Sequence, residues 1–322
     1  MVAAFTNINP KLYLSSFQIV VPEMTNQDVK KRIHDPIQYL ADPIHWLYAD
    51  RQDAWGAKVS YDQTFPIYIG RNSDLAEECV KRLSSQLKWG DVDILCYCHE
   101  TIESSYSMIP ALRLKKQMGM KDSLPYSVGA QGSLAPLSAI ETAYAFMVAE
   151  QMSTALVISA DSIKHPFSRI APGGYVKGDA ATAFILSSAN GDYGILHWEI
   201  TCDCLAVSYD QWGQEEYFQA EGNLTRHLKK LAVNWMECFA VDCVIAQHLS
   251  TSFLEEVETL CLDRKLRLWS RPHCQKVNLL GSDPFYSLFM AEQAGHIVSG
   301  ERILLLFASI DHGIGCLIIQ KN

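Results

Sequence analysis

A succession of helix-like and strand-like segments occurs twice along this chain, and few architectures accommodate it. In the first pass a polar helical stretch over 72–87 leads into an apolar strand over 92–98, followed by a second helix over 109–118. A third helix runs from near Ser133 to about Gln151 and feeds an apolar strand over 155–160 that ends at Asp161. The second pass places helices over 224–239, 252–262 and 284–294 around a strand over 242–246. Two apolar runs over 302–308 and 315–320, joined by a tight Asp311-His312-Gly313 turn, close the chain. Strands that are apolar throughout, instead of alternating, are buried on both faces, so the pattern predicts an α/β protein with a sheet covered on each side. The duplicated order predicts pseudo-twofold halves.

Composition narrows the function classes. With 322 residues, 48% apolar and 20% charged, the chain supplies a large core, and a net charge of −9 disfavours a surface that tracks phosphates. No nucleic-acid role is expected. The opening MVAAFTNINPKLYLSS lacks a basic stretch followed by an apolar one, and no apolar run reaches the roughly 18 residues that span a bilayer, so a cytoplasmic protein with no membrane partner is expected. The 10 cysteines are scattered, the closest pairs being Cys96/Cys98 and Cys202/Cys204. They read as buried reduced thiols, with no metal centre.

Three segments carry a resemblance. Residues 133–161, SLAPLSAIETAYAFMVAEQMSTALVISAD, have the length, apolar spacing and closing Ser-Ala-Asp of a buried nucleophile helix and the strand after it. Lys177-Gly178-Asp179-Ala180-Ala181-Thr182-Ala183 is similar to a Gly-Asp-Gly-Ala-Gly-Ala strand lead, and Gly295-His296-Ile297-Val298-Ser299-Gly300 to a Gly-x-Ile-x-x-Gly lead into a penultimate strand. In this order they resemble the β-ketoacyl-acyl carrier protein synthase III family of the thiolase superfamily. The resemblance implies a thiolase fold, with two pseudo-symmetric βαβαβ halves, 1–188 and 189–322, packed as a five-layered α-β-α-β-α core. The N-terminal half would carry the nucleophile position and the C-terminal half the His and Asn/Asp positions.

That family uses Cys, His and Asn. Its thiolate sits at the N-terminus of a buried helix, where the dipole lowers its pKa. Here the strand before the helix places Gly132 at the cysteine and the helix itself places Ser133 there; neither is a thiol. The histidine position falls on Gln247, or on His248 with a shift of one residue. The asparagine position falls in Gly281-Ser282-Asp283-Pro284, with Asn278 a further candidate. A Ser133-His248-Asp283 triad is the catalytic set these residues offer, since serine needs an adjacent base oriented by a third group. Ser133 and Asp283 also read as helix caps. The segment resembling the family's glycine-rich oxyanion loop is Ser309-Ile310-Asp311-His312-Gly313, with His312 in reserve as a base. The family's Arg-Thr-Gly-Ile segment, which helps hold coenzyme A, has no counterpart over 50–64.

Two functions follow from the resemblance. One is an acyltransferase of specialised polyketide or fatty-acyl metabolism, in which Ser133 takes an acyl group from an acyl carrier protein or coenzyme A thioester. That thioester is a substrate, and no bound cofactor is expected. The other is a catalytically inactive subunit that dimerises with a paralogous active ketosynthase and shapes its acyl pocket. A homodimer or heterodimer is expected either way. Arg226, Lys229 and Lys230 are candidates for carrier docking, and loops over 100–108 and 198–218, the latter with Tyr209, Trp212, Tyr217 and Phe218, are candidates for the acyl pocket.

Overall fold

The computed structural model describes residues 12–22, 66–68, 70–83, 88–101, 109–163, 169, 175–202, 214–272 and 277–322. The strands are β1 (Leu12–Val20), β2 (Ile94–Cys98), β3 (Leu124–Val128), β4 (Thr154–Asp161), β5 (Ala180–Ser187), β6 (Tyr193–Cys202), β7 (Cys243–Ala246), β8 (Arg267–Trp269), β9 (Arg302–Ser309) and β10 (Gly313–Lys321). The helices are α1 (Asn72–Leu83), α2 (Pro110–Met118), α3 (Ala135–Ala149), α4 (Gln214–Cys238), α5 (Thr251–Arg264) and α6 (Asp283–Gln293).

All ten strands lie in one sheet of order β3-β2-β4-β5-β1-β6-β10-β9-β7-β8. Each of the first five has a counterpart five places later, and the counterparts pair alike. β2 is parallel to β3 and β4 as β7 is to β8 and β9, and β5 is antiparallel to β4 and β1 as β10 is to β9 and β6. The two sets meet along a short antiparallel ladder, Leu12 opposite Ile195, Tyr13 opposite Gly194 and Leu14 opposite Tyr193.

Three apolar clusters define the layers. α1 and α2 cover one face of the first strand set through Leu75, Val80 and Leu114 against Leu95, Leu156 and Ala183. α4 and α5 cover the far face of the second set through Leu228, Trp235 and Phe253 against Val244, Leu306 and Ile318. Between the sets lies the largest cluster, where Leu137, Ile140 and Ala143 of α3 and Phe285 and Leu288 of α6 pack against inner faces of both. The expected α-β-α-β-α arrangement is therefore present.

Three strands depart from the reading of the sequence. β1 is interrupted by a bulge between Ser15 and Gln18, with Ser16 at φ 49°. β6 alternates polar with apolar residues beyond Ile195, and β8 has three residues; none is the continuous apolar run that marks a buried strand. The segment 198–218 is likewise no single loop, since it begins in β6 and ends in α4. Tyr217 there is fully buried and Phe218 is 57% exposed, while Tyr209 and Trp212 lie outside the described residues, as do 50–64 and 102–108. Cys79, Cys96, Cys98, Cys238, Cys243, Cys261 and Cys316 are buried free thiols, and Cys202 is exposed. No helix among the described residues is long and apolar enough to cross a membrane, and no group of three or more His, Cys, Asp or Glu among them is placed to hold a metal ion.

Candidate functional site

The turn between β3 and α3 carries both nucleophile candidates. Gly132–Leu134 forms a 3-10 turn, and helix geometry begins at Ala135 with Pro136 in the first turn. Gly132 adopts φ +52°, and a Cβ there would run into Ser309 Oγ and stand 3.0 Å from His312 Nδ1. Left-handed backbone and a crowded approach both require glycine at this point. Ser133 is 2% exposed and does not cap the helix. Its hydroxyl donates to Glu100 Oε2 at 2.8 Å, and the other oxygen of that carboxylate accepts from Lys177 Nζ at 3.2 Å.

His248 and Asp283 are brought together, but with Arg271 and not with Ser133. Asp283 Oδ1 lies 3.1 Å from His248 Nδ1 and accepts from the His248 backbone N–H at 2.9 Å. Asp283 Oδ2 accepts from Leu279 N–H at 2.8 Å and from Arg271 Nη2 at 2.5 Å. The same guanidinium nitrogen is 2.7 Å from His248 Nδ1, while His248 Nε2 is 3.4 Å from Ser270 Oγ. Both ring nitrogens are thus occupied away from Ser133 whichever carries the proton. Burial would push the Asp283 carboxyl up, yet the adjacent Arg271 and His248 outweigh it and hold it at about 2. Asp283 is the first residue of α6 and binds back to Leu279, so it anchors the preceding turn instead of capping the helix.

The alternative family positions are closed. Gln247 is fully buried; its amide donates to Asn278 Oδ1 at 3.2 Å and Leu280 O at 3.3 Å, and its carbonyl accepts from Ala308 N–H at 3.0 Å. Asn278 Oδ1 accepts from Leu280 N–H as well. Ser282 Oγ donates to Ser159 O at 3.4 Å. A fully satisfied glutamine amide offers no titratable group where the family has its histidine.

Around Ser133 the structure gathers other groups. A cavity of about 20 Å³ is lined by Glu100, Ser133, Lys177, Asn278, Ser309 and Asp311, among others. That is room for about one water. Ser309 Oγ donates to Asp311 Oδ1 at 2.6 Å, and His312 Nδ1 lies 2.8 Å from the same oxygen. The Asp311 carboxylate beside it raises the His312 pKa. The imidazole in turn holds the Asp311 carboxyl low against its burial. His312 Nε2 reaches Ala130 O at 3.1 Å. The loop that resembles an oxyanion segment is therefore an ion-paired clasp on the Gly132 turn.

The turn bearing Glu100 hangs from Asp161 at the end of β4. Asp161 Oδ1 accepts from Glu100 N–H and Thr101 N–H, both at 2.7 Å, and from Thr101 Oγ1 at 2.9 Å. Burial, then the Glu100 charge, pushes the Asp161 carboxyl up to about 7. Asp179 of the Lys177-Gly178-Asp179 motif is occupied by Arg169 at 2.7 and 2.9 Å and by the Tyr68 and Ile163 N–H groups. Of the candidate docking residues, Arg226, Lys229 and Lys230 are exposed on α4, with Lys229 paired to Glu256 at 2.9 Å. Reasoning from sequence passed over Glu100 and Asp161 as site residues, although each stands at the C-terminal end of an apolar strand, where sites of α/β sheets gather.

No family model matches the chain, and no curated protein matches it in sequence. Solved structures do. The acyltransferase ChlB3 is 15% identical with a TM-score of 0.67, covering 97% of this chain and 98% of its own. The 3-oxoacyl-(acyl carrier protein) synthase III of Pseudomonas aeruginosa is 14% identical with a TM-score of 0.66, at 97% and 98% coverage. A variant of Xanthomonas campestris OleA is 10% identical with a TM-score of 0.66, at 97% and 99%. Likeness over nearly the whole of both chains, with the doubled strand order, shows that this chain adopts the thiolase-type fold of the synthase III structures.

Proposed function

We propose that the chain is a synthase III-like acyltransferase in which Ser133 carries the acyl group and Glu100, in place of His248, takes the serine proton. One observation carries this reading: the Ser133 hydroxyl, at the start of a buried helix and on the wall of a cavity, donates to the Glu100 carboxylate at 2.8 Å. Ser133 Oγ attacks the carbonyl carbon of a thioester from an acyl carrier protein or coenzyme A, its proton passes to Glu100, and the C–S bond breaks to release the thiol. A hydroxyl or amine acceptor then takes the acyl group and frees Ser133. Lys177 pairs with the Glu100 carboxylate, and Arg271, His248 and Asp283, bonded to one another, brace the wall behind the site.

The test is intact mass after incubation with a panel of acyl thioesters. An acyl adduct is expected on the wild type, absent in Ser133→Ala, and formed roughly 10²-fold or more slowly in Glu100→Gln. No adduct from any donor would sink the reading.

A second reading, a non-catalytic subunit paired with an active ketosynthase, is supported by the saturated Gln247 amide and by a cavity of about 20 Å³ that admits no acyl chain as it stands. The pairing surface would be the outer edge of β3, unpaired among the described residues, which leads into the Gly132 turn and exposes Leu124. Copurification with a cysteine-bearing paralogue, lost on Leu124→Lys, supports it; a protein that remains a monomer alone and beside that paralogue contradicts it.

A further inference from the structure

Asp161 is fully buried, and its two oxygens differ. Oδ1 accepts three hydrogen bonds from the Glu100–Thr101 turn, whereas Oδ2 has no hydrogen-bond partner among the described residues. Alternation along β4 and β5 puts Ile158, Ala160, Ala181 and Ala183 on the outer cluster, so Ser159, Asp161 and Thr182 share the inner face. Ser159 and Thr182 are opposite one another, and their hydroxyls also lack partners. Apolar packing would have excluded such groups; three of them together mark a polar spot beneath the site. The same turn is held from its other side by Asn72 Nδ2, which donates to Thr101 Oγ1 at 2.8 Å and Thr101 O at 3.0 Å. Only the Asp161 contacts among these depend on a charge.

We propose that Asp161 is the positioning residue of the Ser133 site: one carboxylate oxygen fixes the turn that presents Glu100, and a proton gained or lost on the other sets how firmly Glu100 is held. Ionised Asp161 grips the two N–H groups and the Thr101 hydroxyl as a charged acceptor, which holds Glu100 against Ser133. Protonated at Oδ2, it is a weaker acceptor and repels nothing. The titratable groups around it are Glu100, whose carboxylate meets Ser133 and Lys177 and lies near His312, the His99 imidazole, whose Nδ1 lies 2.8 Å from Thr101 O on the same turn, and the Cys98 thiol on β2. The carboxyl is pushed up to about 7, so the exchange falls in the neutral range.

This deepens the acyl-transfer reading and rests on it for its chemical consequence, but the proton linkage is measurable without any substrate. In protein labelled with 15N glutamate and threonine, the Glu100 and Thr101 amide shifts are followed from about pH 5 to about pH 9. A joint titration with a midpoint near 7 is expected. It should vanish in Asp161→Asn, and in Glu100→Gln the Thr101 amide should titrate about one pH unit lower. Amides that do not titrate, or that titrate unchanged in Asp161→Asn, overturn the proposal, and Glu100→Gln decides it should Asp161→Asn not fold. Where adducts form, the acylation rate should rise through the same midpoint in the wild type and lose that limb in Asp161→Asn. Amides that titrate as expected on a protein that takes no acyl group would leave the linkage standing and remove the acyl-transfer reading alone.

Discussion

Position 132 shows how one residue decides what chemistry a turn can hold. Gly132→Cys would put a thiol at the start of the buried helix, but at φ +52° and against Ser309 Oγ. A cost of about 1–3 kcal/mol is expected, read as lost stability in urea unfolding, and partly recovered by adding Ser309→Gly. The double variant not exceeding the single one would show that the clash is relieved elsewhere. At Asp283 the prediction concerns acid. A carboxyl held at about 2, against about 3.9 when unfolded, stabilises the fold above the unfolded value, and that stability is lost as pH falls toward the folded one. The melting temperature should therefore drop between about pH 4 and about pH 2. Asp283→Asn should lack that drop and be less stable by about 3–5 kcal/mol at neutral pH, since it strands the buried Arg271 charge. Asp161, raised instead of lowered, acts with the opposite sign: its protonated form is favoured in the fold, so its contribution fades as pH rises through about 7. The residue types His248 and Asp283 are legible in the sequence as partners, and they do meet. That Arg271, 23 residues along, would occupy the ring is set by tertiary packing and has no local signal. Glu100 is hidden for the same reason, because nothing in its neighbourhood announces that a turn 33 residues later comes to lie against it.

Elements were easiest to read where burial is complete. β2, β4, β7, β9 and β10 are apolar along most of their length and lie near their expected limits. α4 begins at Gln214, ten residues before the predicted 224, although Tyr217, Ala220, Leu224 and Leu228 form a buried stripe at helical spacing. Gly222 within that stripe speaks against a helix locally, and the packing of the stripe overrides it. A Cβ on Gly222 would meet nothing within 4 Å. Gly222→Ala should therefore stabilise the protein by about 0.5–1 kcal/mol, visible as a raised midpoint in urea with an unchanged slope. Destabilisation would mean that the helix is distorted at that residue.

At the scale of the molecule, the doubled grammar of the sequence reappears as a doubled strand order, and the motif resemblances lead to the same fold as the solved structures. The site did not follow so directly. Fold is set by many interchangeable apolar contacts, whereas the site depends on which of several polar side chains reaches a given neighbour first. Among the described residues the two strand sets touch along three ladder pairs, yet they share the central apolar cluster in which α3 and α6 lie. Neither set can cover its inner face alone, and little beyond the link at Ser188 to Asp192 ties them covalently. Continuity of the chain is thus almost incidental to the architecture: the shared core, more than the peptide link, is what holds one set of strands against the other.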